Sequence, residues 1–249
     1  MKRFLIYSLL FLTSLSAHAS TTHWEAGNKA YIDGDYAKAI EEYGAIIEEG
    51  SYSEKLYYNL ANAHFKQGEM GKAILYYNKA LRIAPNEEDI RHNLAIAEAQ
   101  TKDRIVVIPE FFLNRWMRSV RHSMSCTAWS VMSLAAFALV LAFGLLFLLS
   151  SNIRWRKAGF YSAMCGALLF VATLSFAISS RNDMLTHDEA IVMSSAISVK
   201  SSPDRSATDL FVLHEGTKVR ILSEIDEWCE VVIADGKKGW TEAKNIEEI

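Results

Sequence analysis

The sequence contains one pattern twice, GDYAKAIEEYGAIIEEGS at residues 34–51 and GEMGKAILYYNKALRIAP at residues 68–85. The displacement of 34 residues pairs Gly34 with Gly68 and Tyr43 with Tyr77. A glycine that recurs between two periodic segments suits the end of a helix, where a positive φ is needed, and a recurring tyrosine suits the space between packed helices. A plain helical bundle would not require these residues to keep register. The period therefore predicts a stack of equivalent helical hairpins.

The match extends beyond the two quoted stretches. Further pairs at the same displacement are Gly27 and Ala61, Asn28 and Asn62, Tyr31 and Phe65, and Ala39 and Ala73. Residues 90–97 begin a third copy that has no second helix, so we expect a capping helix with a polar outer face formed by Glu98, Gln100, Lys102 and Asp103. The 34-residue unit resembles the tetratricopeptide repeat, which implies two repeats plus a cap over residues 20–104. Because so short an array is near the lower limit of stability, we expect a docked partner or a membrane contact to complete it.

The resemblance also implies a concave groove formed by the first helix of each hairpin. Its expected lining is Trp24, Asn28, Tyr31, Tyr58, Asn59, Asn62 and Phe65. Asparagine amides can hold the backbone of an extended peptide, and aromatic rings supply apolar area. We expect about half of these residues to face a ligand and the others to pack internally. Asp89 and Asn93 stand where carboxylate-binding members of the family have basic residues, which argues against capture of a C-terminal carboxylate.

Three apolar segments place the chain at a membrane. Residues 1–19 have a basic start, a short apolar centre and a small-residue cleavage site, which predicts a secretory signal peptide; an uncleaved anchor would leave the next domain on the same side. Residues 123–151 and 158–180 contain no charged residue and are long enough to cross a bilayer. Arg154, Arg156 and Lys157 would then lie in a cytoplasmic loop at residues 152–157, as the positive-inside rule expects. Both soluble parts would be periplasmic, in a multi-pass protein of the bacterial inner membrane.

A basic segment precedes the first span. In residues 105–122, Leu113, Trp116 and Met117 recur at helical spacing, and Arg115 and Arg118 occupy the other face. This pattern predicts an amphipathic juxtamembrane helix in the lipid headgroup layer, although a plain start to the span fits it almost as well. The charge follows the same division: residues 20–104 have a net charge of −4, residues 105–181 of +6 and residues 182–249 of −7. Acidic soluble parts argue against nucleic acid as a partner.

Residues 181–249 have a different period. Short apolar alternations separated by turns, including the Asp235-Gly236 hairpin signal, predict a small β-barrel. The phrases ISVKSSP at 197–203, LHEGTKV at 213–219, EWCEV at 227–231 and DGKKGW at 235–240 resemble a bacterial SH3 domain. That resemblance implies binding of peptidoglycan or short peptides through exposed aromatic rings. Trp240 and Trp228 are the candidates, with Trp228 the better fit to a core position.

No catalytic or metal-binding motif appears in the sequence. Cys229 has no catalytic domain around it, and the histidines show no metal-ligand spacing, so we expect no enzyme activity, no metal and no cofactor. Cys126 and Cys229 would share a compartment, but three unclustered cysteines are not a disulfide framework.

The sequence thus predicts a multidomain chain with all-α tetratricopeptide-repeat hairpins, a two-helix transmembrane hairpin and a C-terminal all-β SH3-like barrel. The order of these segments resembles the BatE-type proteins of bacterial aerotolerance (Bat) operons. That resemblance implies an envelope adaptor whose partners are membrane proteins with von Willebrand A domains. The alternative hypothesis is a peptidoglycan-binding cell-envelope sensor acting through the SH3-like domain.

Overall fold

The computed structural model describes residues 21–105, 111–186 and 188–249. The predicted signal peptide and most of the extended run at 105–109 lie outside these residues. The chain forms two compact units, which we describe separately. The first contains the helical repeats and the C-terminal β-module, by which we mean residues 188–249. The second contains the segment between them.

Five helices form the repeats, as the 34-residue period predicts. They are α1 (described over residues 21–32), α2 (Tyr36–Glu48), α3 (Glu54–Gln67), α4 (Met70–Ile83) and α5 (Glu88–Ala99). Gly34 and Gly68 follow α1 and α3 with φ of 81° and 86°, the left-handed conformation that a helix end requires. Side chains of Asp35 and Ser53 accept hydrogen bonds from the first turns of α2 and α3. These local signals fix where each hairpin turns.

Tyrosines fill the space inside each hairpin. Tyr43 and Tyr77 are both only 1% exposed. A Cβ atom on Gly27 would lie 2.7 Å from the Tyr43 ring, so the absence of a side chain there makes room for the tyrosine. Ala61, the equivalent residue of the second repeat, is completely buried beside the core that contains Tyr77. The small residues at this position allow the close approach that the period predicts.

The third copy ends after α5, and the β-module covers the exposed end of the array. Ile191 and the C-terminal Ile249 belong to the same buried cluster as Ile74 and Tyr77 of α4 and Ile90 of α5. The apolar surface that a further helix would cover is therefore covered by strands. The partner that we expected to complete the short array is a part of the same chain.

The predicted polar outer face of the cap is wrong in one respect. Helix α5 ends at Ala99, so Lys102 and Asp103 lie beyond it. Asp103 does not point into solvent, because its carboxylate accepts hydrogen bonds from His214 and Thr217 of the β-module. Sequence patterns report only which residues share a helix face, and this contact joins residues more than 100 positions apart.

The β-module is a seven-stranded antiparallel sheet with the order β3-β2-β6-β5-β4-β1-β7. The strands are β1 (Glu189–Val192), β2 (Ala196–Lys200), β3 (Asp209–His214), β4 (Lys218–Ile225), β5 (Trp228–Val232), β6 (Lys238–Glu242) and β7 (Ile246–Glu248). Alternation along β1 directs Ala190 and Val192 into the core of the module, while Ile191 belongs to the core of the repeats. Strand β1 therefore contributes to two cores at once.

The second unit contains α6 (Phe112–Arg121), α7 (Cys126–Leu149) and α8 (Ile153–Leu185). In the part of the chain that the structure describes, two segments are long and apolar enough to cross a membrane, Cys126–Leu149 with a mean hydropathy of 2.6 and Ile153–Asp183 with 1.9. In each, 11% of the most apolar window is buried, unlike the core helix of a soluble protein. This result concerns length and composition alone. Helix α8 begins at Ile153, so Arg154, Arg156 and Lys157 lie in its first turns and not in the loop predicted at residues 152–157.

Helix α6 forms within the segment for which the sequence predicts an amphipathic helix. None of its residues is buried, and Leu113, Trp116 and Met117 are exposed. Its last residue, Arg121, forms an ion pair with Asp183 at 3.1 Å, and its carbonyl accepts a hydrogen bond from Trp129 Nε1 at 2.9 Å. Trp129 is buried at the start of α7.

Candidate functional site

One hydrogen-bond arrangement recurs at the 34-residue period. The Tyr43 hydroxyl donates to Asn28 Oδ1 at 2.8 Å, and Asn59 Nδ2 donates to the same oxygen at 3.1 Å. In the next repeat, Tyr77 donates to Asn62 Oδ1 at 2.6 Å and Asn93 Nδ2 donates to that oxygen at 3.1 Å. Each asparagine thus connects the tyrosine of its own hairpin to the first helix of the next repeat. The asparagines hold the stack together as well as facing its concave side.

A cleft lies beside the second of these arrangements. Its volume is ≈ 260 Å³. The lining residues are Tyr31, Tyr58, Asn62, Phe65, Lys66, Tyr77, Asn93 and Ile96. They come from α1, α3, α4 and α5, so the cleft exists only because consecutive repeats stack. Half of its eight lining residues are aromatic, and the others are two asparagines, one lysine and one isoleucine.

The seven predicted groove residues divide into two groups. Tyr31, Tyr58, Asn62 and Phe65 line the cleft. The other three have partners inside the repeats. The ring centroid of Trp24 lies 5.8 Å from that of Tyr43. Asn28 accepts hydrogen bonds from the Tyr43 hydroxyl and from the side-chain amide of Asn59. Trp24 and Asn28 belong to the first repeat and Asn59 to the second, and none of the three lines the cleft.

Sequence reasoning missed four lining residues: Lys66, Tyr77, Asn93 and Ile96. The period contains the signal for two of them, because Asn93 is the equivalent of Asn59, and Ile96 is the equivalent of Asn62 in the third copy. Asn93 also donates a hydrogen bond to the Tyr58 hydroxyl at 3.0 Å. The incomplete third copy is therefore part of the cleft and not only a cap.

The cleft is suited to contact and not to proton transfer. Burial raises the pKa of Tyr31 and that of Tyr77 above their usual range, so both hydroxyls stay protonated at neutral pH. Both hydrogen bonds to Asn62 use its oxygen, which leaves the Nδ2 donors to meet an incoming acceptor. Lys66 is exposed at the cleft and supplies a positive charge. The arrangement can bind apolar side chains and backbone carbonyls near an acidic group.

The β-module presents its two candidate tryptophans together. Along β5 and β6 the buried residues alternate with half-buried ones, and both Trp228 and Trp240 are half-buried. Trp228 pairs with Glu242, and Trp240 pairs with Glu230, so both rings lie on the outward face in diagonal positions. The expectation that Trp228 belongs to the core is wrong, because Cys229 and Val231 take the inward positions of β5.

Charged residues surround the two rings. Arg205 donates from Nε to Glu242 at 3.0 Å, and Lys238 forms an ion pair with Glu230 at 3.3 Å. Lys200, the register partner of Trp240, forms an ion pair with Asp209 at 2.8 Å. Aromatic rings with a rim of hydrogen-bonding groups suit a polar ligand that also has apolar faces.

Over residues 21–105, 111–186 and 188–249, no group of three or more His, Cys, Asp or Glu side chains is placed to hold a metal ion. Burial raises the pKa of the Cys229 thiol, which disfavours the reactive thiolate.

Comparison with known proteins supports both modules. The family model described as tetratricopeptide repeat matches residues 54–87, and the model described as bacterial SH3 domain matches residues 195–247. Photosystem I assembly protein Ycf3 from Cyanophora paradoxa is 30% identical over 102 residues, which are 38% of this chain and 59% of that protein. Its counterpart from Rippkaea orientalis is 26% identical over the same shares. The chain thus spans 59% of the length of the curated relatives that it matches.

Domains of both matched families typically serve interaction and not catalysis: the repeat indicates protein–protein contact, and the SH3 domain indicates cell-wall binding.

Proposed function

We propose that this protein is a non-enzymatic adaptor of the bacterial cell envelope that binds a partner protein through the cleft of its repeats. The cleft lined by Tyr58, Asn62, Phe65 and Ile96 carries this proposal. Its ≈ 260 Å³ is below the roughly 300–1,000 Å³ of small-molecule sites, so it suits one or two side chains of a longer ligand. The ligand that fits best is an extended peptide segment with an apolar side chain.

The polar groups define the rest of that segment. Asn62 Nδ2 would donate to a backbone carbonyl of the peptide, and the aromatic walls would enclose its apolar side chain. Lys66 would favour an acidic residue next to that side chain. Asn93 supplies no positive charge, so the segment does not need a free C-terminal carboxylate.

The adaptor would be tethered at the cytoplasmic membrane by the helical hairpin of α7 and α8. A signal peptide at residues 1–19 would export the repeats, and the hairpin would return the chain to the same side. The basic residues Arg154, Arg156 and Lys157 would then be cytoplasmic, and both soluble modules periplasmic. Protease added to intact spheroplasts should digest the repeats and the β-module; protection of either one would contradict this topology.

The order of the segments resembles BatE-type proteins, so we place the adaptor in a Bat-type aerotolerance complex. Its partners there would be membrane proteins with von Willebrand A domains. The matched relatives are named as photosystem I assembly proteins, which is consistent with an assembly role here.

Site-specific photocrosslinking in native membranes tests the cleft. A photoreactive phenylalanine analogue at Phe65 should form an adduct with one defined partner. The matched control is Tyr52, an aromatic residue outside the cleft that is 72% exposed. Replacing Ile96 with Ala should weaken the adduct formed from position 65. Equal adducts from positions 52 and 65 would refute the assignment of the cleft.

The outward tryptophans favour a second candidate function, a cell-envelope sensor that binds peptidoglycan through the β-module. Here Trp228 and Trp240 would stack on sugar rings, and the charged rim would hydrogen-bond to the peptide stems. Sedimentation with purified sacculi distinguishes this candidate. Retention that is lost in Trp240→Ala would support the sensor, whereas no retention of the native protein would exclude it.

A further inference from the structure

We propose that the β-module is the positioning element of the peptide cleft: by docking on the end of the array it holds α5, and with it the cleft residues Asn93 and Ile96. This inference rests on the proposed function in taking the cleft as a peptide-binding site. Its structural part, the dependence of α5 on the docked module, can be tested without a ligand.

Apolar packing joins the two modules into one core. Ile191 is completely buried and Ile249 is 4% exposed, and both lie in the cluster formed by α4 and α5. The backbone of the β-module also comes close to side chains of the repeats. A Cβ atom on Gly216 would lie 2.9 Å from Ile74 Cδ1 and 2.7 Å from Thr101 Cγ2. The turn between β3 and β4 thus reaches both α4 and the segment after α5.

Asp103 fixes the segment that follows α5. Its carboxylate accepts hydrogen bonds from the His214 backbone N–H at 2.7 Å, from His214 Nδ1 at 2.7 Å and from the Thr217 hydroxyl at 2.6 Å. Charge-assisted bonds of this kind are stronger than neutral ones. Three of them end on one side chain that lies four residues after the last residue of α5.

The module also satisfies the beginning of α4. Glu215 Oε1 accepts a hydrogen bond from the Gly71 backbone N–H at 2.9 Å. Gly71 is the second residue of α4, where backbone N–H groups have no partner inside the helix. A carboxylate there also complements the helix dipole. On the same helix, Asn78 accepts a hydrogen bond from Lys218 Nζ at 3.3 Å.

Helix α5 depends on such support. It has 12 residues, and its N-cap residue, Glu87, makes no side-chain capping bond. An isolated helix of that length is marginal in water, so packing has to stabilise it. One part of α5, with Ile90 and Ala97, lies in the shared core, and another carries Asn93 and Ile96 at the cleft. A ligand in the cleft and the docked module therefore stabilise the same helix, and each should favour the other.

Hydrogen–deuterium exchange on the full-length protein in detergent tests this dependence. Asp103→Ala removes all three carboxylate bonds, and we expect exchange of the α5 amides to become about tenfold faster. Exchange in β1 and β7 should rise as well, because the docking contact is reciprocal. The matched control is Asp35→Ala, which removes one hydrogen bond, that to Lys38 N–H, at the other end of the array. It should accelerate exchange in α2 and leave α5 unchanged.

The conservative variant Asp103→Asn keeps a carbonyl acceptor and serves if the alanine variant does not fold. It should give an increase between those of the native protein and Asp103→Ala. Unchanged exchange of α5 in both variants would overturn the proposal, and so would an increase of the same size in Asp35→Ala. Because no ligand is used, such a result leaves the crosslinking test at Phe65 intact. Failure of that crosslink would likewise leave the dependence of α5 on the module standing.

Discussion

Replacing Gly216 with Ala is the sharpest test of the docked arrangement. The substitution adds one methyl group at a position where the backbone φ is +84°. The new Cβ would lie 2.7 Å from Thr101 Cγ2 and 2.9 Å from Ile74 Cδ1. Real Cβ atoms essentially never approach other carbons so closely, so the turn between β3 and β4 or the side chains of Thr101 and Ile74 must shift.

Two terms set the size of the effect. A non-glycine residue in the left-handed region costs about 1–2 kcal/mol of stability. Overpacking in a well-packed interface costs about 1–3 kcal/mol more. Gly34 provides the matched control, because its φ is +81° and nothing lies within 4 Å of its Cβ position. Gly34→Ala should therefore lower the unfolding free energy by the backbone cost alone, about 1–2 kcal/mol. Gly216→Ala should lower it by the backbone and overpacking costs together, about 2–5 kcal/mol.

Thermal unfolding of both variants in one detergent measures the difference. At about 2–4 °C for each kcal/mol, the Tm of Gly216→Ala should lie roughly 2–12 °C below that of Gly34→Ala. Faster deuterium exchange in α5 should accompany the loss in Gly216→Ala only. If the two variants lose the same Tm and α5 keeps its protection, the β-module does not dock on the repeats as described.

Other substitutions test single contacts. Tyr77→Phe removes the hydroxyl bonded to Asn62 and should lower the unfolding free energy by about 1 kcal/mol in denaturant titration; no change would show that this bond adds nothing. Gly44 lies in the interior of α2, and no atom lies within 4 Å of its Cβ position, so Gly44→Ala should raise the unfolding free energy by about 0.5–1 kcal/mol. Gly27→Ala should lower the unfolding free energy, because the new Cβ would lie 2.7 Å from the buried ring of Tyr43. The opposite order of stabilities would contradict the close packing of Gly27 against Tyr43. Partial burial would raise the pKa of Asp103, but its hydrogen bonds from Thr217 and His214 outweigh that effect and lower it. Its stabilising contribution is therefore present above the unfolded pKa of about 3.9 and is lost as the pH falls through the lower folded pKa, so the stability difference between the native protein and Asp103→Asn should shrink below about pH 4.

The repeats could be predicted because their determinants are local. A glycine after a helix, a capping serine or aspartate and a tyrosine at a fixed spacing each act within one hairpin, and the 34-residue period presents them twice. Gly34 and Gly68 have the positive φ that the pattern predicts. The strands of the β-module follow from alternation and turn residues in the same way.

The role of the asparagines was harder to predict. Spacing along a helix places Asn28 and Asn62 on the concave side, but it does not determine which groups their amides bond. The hydroxyl of a tyrosine 15 residues later takes one lone pair of each Oδ1. Because Asn28 and Asn62 both have this tyrosine, their sequence signal is the same, and only the packing of the repeats shows that Asn62, and not Asn28, lines the cleft.

The docking contact could not be read from the sequence at all. Asp103 and His214 are 111 residues apart, and the helical hairpin of α7 and α8 lies between them in the chain. A charged residue after a capping helix has the same pattern whether it meets water or a backbone N–H. Ile249 also packs into the core of the repeats. A single apolar residue forms no periodic pattern, so the sequence does not predict this contact.

The docked arrangement also determines whether the two proposed ligands compete. The module meets the repeats through β1, the β3–β4 turn, Lys218 and the C-terminal residue, whereas its outward tryptophans lie on β5 and β6 in the middle of the sheet. The cleft, in turn, is lined by side chains of the repeats alone. A peptide in the cleft and a polymer on the tryptophans would therefore use different residues of one compact unit. If the β-module positions α5, the peptide should not weaken binding of the polymer, and the polymer should not weaken binding of the peptide. A lower peptide affinity in the presence of the polymer would mean that binding at the tryptophans releases the β-module from the repeats.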